Sequence, residues 1–127
     1  MDYLRRLNGV DPRLVAAVVH GARAFENEND MFVRVTEGMR TLHEQRVLKA
    51  EGKSHTLKSY HLTGKAVDLA LISSKGACWD LPRYADLNEC IQEAAHFLRC
   101  SITWGGDWQM ADGVHWQLET QPFDGDF

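Results

Sequence analysis

Apolar positions along the chain recur at two spacings, one near 3.6 residues and one at 2, and the elements follow from where each begins and stops. Leu14, Val15, Val18, Val19, Ala22 and Phe25 fall at helical spacing. Asp11-Pro12 ahead of them offers an N-cap and a proline at the first helical position. A helix is predicted from there into the polar stretch Glu26 to Asp30. Phe32, Val33 and Val35 read as a short strand broken by Gly38. Leu42, Gln45 and Leu48 space a second helix from Thr41 to Ala50, closed by Gly52. A loop from Ser54 to Lys65 leads into a strand over Ala66 to Ile72. Its alternation sets Val67, Leu69 and Leu71 on one face and Ala66, Asp68 and Ala70 on the other.

A loop through Trp79-Asp80-Leu81-Pro82 precedes a third helix, Tyr84 to Leu98, with Leu87, Ile91, Ala94, Ala95 and Leu98 facing inward. Ser101 to Trp104 is a short strand ending at a glycine pair. Asp112-Gly113 signals a tight turn. The last strand, Val114 to Leu118, carries Val114, Trp116 and Leu118 on one face and His115 and Gln117 on the other. The tail from Gln121 reads as frayed. The order α, β, α, β, α, β, β predicts an α+β fold, a small antiparallel sheet packed with helices.

Composition narrows the class. The 127 residues fit one domain, residues 1–127, and such a length can bury a core without staples. Hydrophobic content of 44% and charged content of 25% are ordinary for a globular protein. The net charge of −4 and the lack of a Lys/Arg run argue against a nucleic-acid partner and against a metal-dependent nuclease. No window approaches the ~20 apolar residues of a membrane span, so stable membrane insertion is not expected. Met1-Asp2-Tyr3-Leu4-Arg5-Arg6-Leu7 lacks the apolar stretch of a secretory signal. Cys78, Cys90 and Cys100 are odd in number and form no CxxC, which predicts free, mostly buried thiols and folding in a reducing compartment.

The chemistry concentrates in two segments. Ser59-Tyr60-His61-Leu62-Thr63-Gly64-Lys65-Ala66-Val67-Asp68 holds an imidazole and a carboxylate seven residues apart around a glycine. Trp104-Gly105-Gly106-Asp107-Trp108 through Asp112-Gly113-Val114-His115-Trp116 adds a second histidine, with a carboxylate three residues before it. His61, Asp68 and His115 have the donor types and the count of a zinc site with one open position. The spacing lacks the helical geometry that makes HExxH specific. Asp112 reads equally as a general base and as a turn residue. Asp107 competes for the base role but suits a turn or cap better. Arg40 is either a substrate or oxyanion contact or a solvated arginine. Gln45 reads either as a hydrogen-bonding contact to a peptide substrate or as an ordinary helix residue, the second being favoured. His20, His43, His55 and His96 have no ligand-like partners and read as structural or exposed. One of Trp104 and Trp108 is expected to line a groove, and the other tryptophans to lie in the core.

At these motifs the chain resembles the M15 peptidases, and most of all the small phage endolysins that act as L-alanyl-D-glutamate endopeptidases. The likeness also runs through Gly9-Val10-Asp11-Pro12-Arg13-Leu14 and Glu37-Gly38-Met39-Arg40-Thr41 with Gln45. The resemblance implies the fold of D-Ala-D-Ala peptidases and hedgehog-type domains. It implies Zn2+ on His61, Asp68 and His115, Asp112 as catalytic base, and Arg40 as a catalytic contact to substrate or oxyanion. It implies stem peptides of peptidoglycan as partner, a monomer without a separate wall-binding domain, and host lysis after release from the cytoplasm through a holin-type lesion. The alternatives are a D-Ala-D-Ala carboxypeptidase or dipeptidase on the same fold, or a non-catalytic zinc-stabilised binding module. Two positions depart from similar sequences: Tyr60 stands where Arg is common, and Gln117 where Glu is common.

Overall fold

The computed structural model of the chain describes residues 3–53 and 59–119. In chain order the elements are α1 (Tyr3–Arg6), α2 (Pro12–Glu28), β1 (Met31–Glu37), α3 (Leu42–Ala50), β2 (Ala66–Ser73), β3 (Gly76–Cys78), α4 (Leu81–Phe97), β4 (Ser101–Trp104) and β5 (His115–Glu119). Short 3-10 turns lie at Tyr60–Thr63 and Gly105–Asp107. The expected tail from Gln121 and the loop histidine His55 lie outside the described residues.

All seven expected elements are present, and the α+β class holds. Asp11 caps α2 through its side chain, which accepts from the Arg13 N–H. Thr41 caps α3 in a reciprocal box with Glu44. Helix α4 begins before the expected Tyr84, because Pro82 is compatible with a first turn that starts after Asp80. Strand β3 was not anticipated: three residues are too few for alternation to show.

The strands run in the order β1-β2-β5-β4, every pairing antiparallel, with β3 also on β2. One edge of β2 pairs with β1. The other is shared, with β5 against Ala66 to Asp68 and β3 against Leu71 to Ser73. The Tyr84 hydroxyl joins the two strands of the β2–β3 hairpin. It accepts from the Leu71 N–H at 3.0 Å and donates to the Cys78 carbonyl at 2.7 Å, so a buried phenol is satisfied.

One face of the sheet carries Val33, Val35, Val67, Leu69, Leu71, Trp116 and Leu118, all buried in one core with the apolar faces of α2 and α4. Each such side chain contributes about 1.5–3 kcal/mol when removed from water. The two helices meet at Gly21, where a Cβ would lie 2.6 Å from the Ile91 Cα. The opposite face carries Asp68, His115 and Gln117. Asp68 pairs directly across from His115, and directly opposed residues share a face. A slip of one residue would exchange the faces, so the register that fills the core also brings these two side chains together.

Candidate active site

His61 sits in the 3-10 turn after Ser59, whose hydroxyl accepts from the His61 N–H at 3.2 Å. Gly64 closes that turn at φ 71°, where a Cβ would lie 2.4 Å from the Gly9 carbonyl oxygen. The Asp11 N–H donates to the Gly64 carbonyl at 2.8 Å, and Lys65 Nζ donates to Asp11 Oδ2 at 2.6 Å. The loop before α2 therefore braces the first motif. On the other side, the Arg40 N–H donates to the His61 carbonyl at 2.8 Å.

His61 Nδ1 lies 2.9 Å from the Gly38 carbonyl oxygen. A carbonyl only accepts, so Nδ1 carries a hydrogen and Nε2 is the nitrogen left for a cation. That nitrogen lies 3.4 Å from Asp68 Oδ1. His115 reaches the same oxygen with Nδ1 at 3.0 Å, while its Nε2 lies 2.9 Å from Gln117 Oε1. The two rings meet edge to face at 5.2 Å. Both are buried, at 3% and 9% exposure.

Among the described residues, His61, Asp68 and His115 offer one ligand atom each, all within 4.8 Å of one another. Each imidazole turns one nitrogen inward and ties the other to the protein, as metal-binding histidines do. The donor set therefore fits a divalent cation of the zinc type, with a further position left to water or substrate. Burial raises the Asp68 pKa, but hydrogen bonds from His115 and His61 outweigh it and bring the carboxyl down to about 2. Burial disfavours a charged His115, yet its bonds to Asp68 and Gln117 prevail and raise its pKa.

Asp112 stands in the turn before β5. Its N–H donates to the Gly105 carbonyl at 2.8 Å, and its carbonyl accepts from the His115 N–H at 3.2 Å. A Cβ on Gly105 would lie 2.4 Å from the Asp112 carbonyl oxygen, which is why the glycine pair precedes this turn. Trp104 Nε1 donates to the Gly113 carbonyl at 2.8 Å and secures the turn from the core side. The Asp112 carboxyl is open to solvent, but partial burial raises its pKa and the Asp68 charge adds to the effect. A base beside a cation site is disposed in this way. Asp107 is exposed in the adjoining 3-10 turn.

Arg40 is buried, with Nε on Glu37 Oε1 at 2.8 Å and NH1 on Gln45 Oε1. Gln45 is fully buried and helps fix that guanidinium, a role its helical spacing did not disclose. Trp108 tilts over His115 at 5.2 Å and stays partly exposed, whereas Trp104 stacks on Trp116 in the core. Trp108 is thus the tryptophan at the site, whereas Trp79, expected in the core, is exposed in the segment before α4. His20, His43 and His96 are exposed. The three cysteines are free and half-buried rather than fully buried.

The sequence profile of the phage L-alanyl-D-glutamate peptidases matches residues 2–127. The chain belongs to this family. An L-alanyl-D-glutamate peptidase of Listeria phage A118 is 30% identical over 95 residues, 74% of this chain and 33% of that protein. The chain therefore spans about a third of the length of that curated relative. The crystal structure of the Serratia marcescens L-Ala D-Glu endopeptidase ChiX superposes with a TM-score of 0.82 at 32% identity, covering 95% of this chain and 89% of the other. The α+β expectation thus holds against a solved family fold.

Several groups at this cluster lay beyond the sequence reading: the Gly38 carbonyl, Glu37, and Glu119 next to Gln117. Glu119 had a usable signal, since residues 115, 117 and 119 alternate onto one strand face. The Gly38 carbonyl had none, because any residue supplies a carbonyl.

Proposed function

We propose that the protein is a zinc-dependent endolysin peptidase of the M15 type that hydrolyses the peptide stem of peptidoglycan between L-Ala and D-Glu. The observation that carries this reading is the convergence of His61 Nε2 and His115 Nδ1 on Asp68 Oδ1, with Asp112 held in the turn beside them. Zinc bound by these donors supplies polarisation of the scissile carbonyl and a water of lowered pKa. Asp112 takes a proton from the attacking water and returns it to the leaving amine nitrogen, a transfer its raised pKa favours. Arg40, fixed by Glu37 and Gln45 on the segment that also holds His61, steadies the substrate or the developing oxyanion. Trp108 forms one wall for the peptide.

No helix among the described residues is long and apolar enough to cross a membrane. We infer a monomer that is made in an infected cell and reaches the wall after release.

The test is digestion of purified sacculi with zinc-loaded protein, with the new termini mapped by mass spectrometry. New N-terminal D-Glu and C-terminal L-Ala are expected. Intact stems, or release of free D-Ala alone, would overturn the proposal.

A further inference from the structure

The two departures from similar sequences, Tyr60 and Gln117, are joined in the structure by a residue that neither points to in sequence. His115, Gln117 and Glu119 project from the same face of β5. His115 Nε2 lies 2.9 Å from Gln117 Oε1. Gln117 Nε2 donates to Glu119 Oε1 at 2.8 Å. The Tyr60 hydroxyl donates to Glu119 Oε2 at 3.3 Å.

A carboxamide has two unlike ends, and which end faces His115 decides the state of that ring. With NH2 toward His115, the ring Nε2 would have to accept, and a neutral ring would then carry its hydrogen on Nδ1. Nδ1 is the nitrogen 3.0 Å from Asp68, and a protonated nitrogen has no lone pair for a cation. With the carbonyl end toward His115, Nε2 keeps its hydrogen, and the hydrogen that Nδ1 gives to Asp68 Oδ1 is the one a cation displaces. Glutamine alone does not choose between these arrangements. A carboxylate on its far side does, because it accepts only and so draws the NH2 end to itself. Glu119 is that carboxylate, and Tyr60 holds its second oxygen.

We propose that Tyr60, Glu119 and Gln117 form a positioning relay that holds a hydrogen on His115 Nε2 and so leaves Nδ1 as the metal-binding atom. The inference rests on the metal-site reading given above. It also explains why glutamine is workable at 117. A glutamate there would accept from His115 with either oxygen and would need no orienting neighbour. Placed 2.8 Å from Glu119 it would instead meet a like charge.

The relay makes a prediction that simple loss of packing does not. In Glu119→Ala the Gln117 amide is free to turn. Proton NMR of zinc-loaded protein should show a slowly exchanging His115 Nε2–H in wild type and faster exchange of that hydrogen in Glu119→Ala. Zinc affinity, read by competition with a chromogenic chelator, should weaken by about ten- to a hundredfold, the usual effect of removing a partner behind a metal ligand. Tyr60→Phe should weaken it in the same direction by a smaller factor. Adding Gln117→Glu to Glu119→Ala should restore both the slow Nε2–H exchange and the zinc affinity. All variants are compared at matched thermal stability, so a folding defect is recognised separately.

Wild-type Nε2–H exchange and zinc affinity in Glu119→Ala would overturn the relay while leaving the metal site standing. So would a folded double variant in which neither measurement recovers. A wild-type chain that binds no zinc would overturn the metal-site reading, and the relay with it.

Discussion

Asp11 ties the helical layer to the loop that carries His61, and removing its charge should loosen both. Its side chain caps α2, its N–H holds the Gly64 carbonyl, and its carboxylate accepts from Lys65 at 2.6 Å and from Arg13 at 3.3 Å. The Asp11 and Lys65 side chains are 13% and 25% exposed, so this pair lies between a surface bridge and a buried one. Exposed pairs contribute about 0.2–1 kcal/mol, and hydrogen bonds to charged groups about 1.5–3 kcal/mol. Asp11→Asn keeps a competent cap and loses the charge, which should cost about 1–2 kcal/mol. Asp11→Ala also loses the cap, adding about 1 kcal/mol. For 127 residues, 1 kcal/mol corresponds to about 4 °C in Tm. Melting of metal-free protein at pH 7 should therefore fall by about 4–8 °C in Asp11→Asn and by about 8–12 °C in Asp11→Ala. Burial raises the Asp11 pKa, but the bonds from Arg13 and Lys65 outweigh it and hold the carboxyl far below its ordinary 3.8. A depressed folded pKa means stability that is present above the unfolded value and lost as pH falls toward the folded one. The gap between wild type and Asp11→Asn should thus narrow by about 1 kcal/mol between pH 6 and pH 3. Equal melting temperatures at pH 7, or a gap that is constant or widens toward pH 3, would refute the brace.

Three further outcomes are expected. Asp112→Asn should lower turnover on sacculi by about a hundred- to ten-thousand-fold while zinc titration and Tm stay at wild-type values; loss of zinc binding instead would make Asp112 a ligand. Chelation should abolish hydrolysis and lower Tm, and zinc at about a hundred times its Kd should restore about 2.7 kcal/mol of stability, as scanning calorimetry with and without metal would read. Gly64→Ala puts a Cβ on a residue at φ 71° and 2.4 Å from the Gly9 carbonyl oxygen, so urea denaturation should show a loss of at least ~2 kcal/mol together with weaker zinc binding through His61.

The core elements were legible because each has a period and a boundary signal. Helix α2 has Asp11-Pro12 and six apolar positions at helical spacing; β2 and β5 have clean alternation that also assigned Asp68 and His115 to the non-core face. The pairing of those two strands was only partly legible, since alternation fixes which face a residue takes but not which residue it opposes. The distances of 3.0 and 3.4 Å around Asp68 Oδ1 come from that register and from the Gly38 carbonyl. Main-chain atoms leave no trace in residue identity, so the partner that sets the His61 tautomer could not be read. Strand β3 and the 3-10 turn at His61 are too short for either period to appear. Gln45 was misjudged for a related reason. Its helical position is ordinary, and only the fold brings Arg40 against it.

The site and the core are built on the same strands, and this gives the proposed metal ligands their rigidity. Trp116 lies between His115 and Gln117 in sequence but on the other face, fully buried and stacked on Trp104. Its Nε1 donates to Asn88 Oδ1 of α4 at 3.0 Å, and Trp104 Nε1 holds the Gly113 carbonyl. The tryptophan pair therefore connects α4, the Asp112 turn and the strand of His115 into one packed unit. A ligand on such a strand has little freedom to move, because moving it would open voids in a close-packed interior. Ring orientation at His115 is thereby set by the core, which leaves the Nε2 hydrogen as the variable still to be controlled, and that control lies on the exposed side of β5 with Gln117 and Glu119.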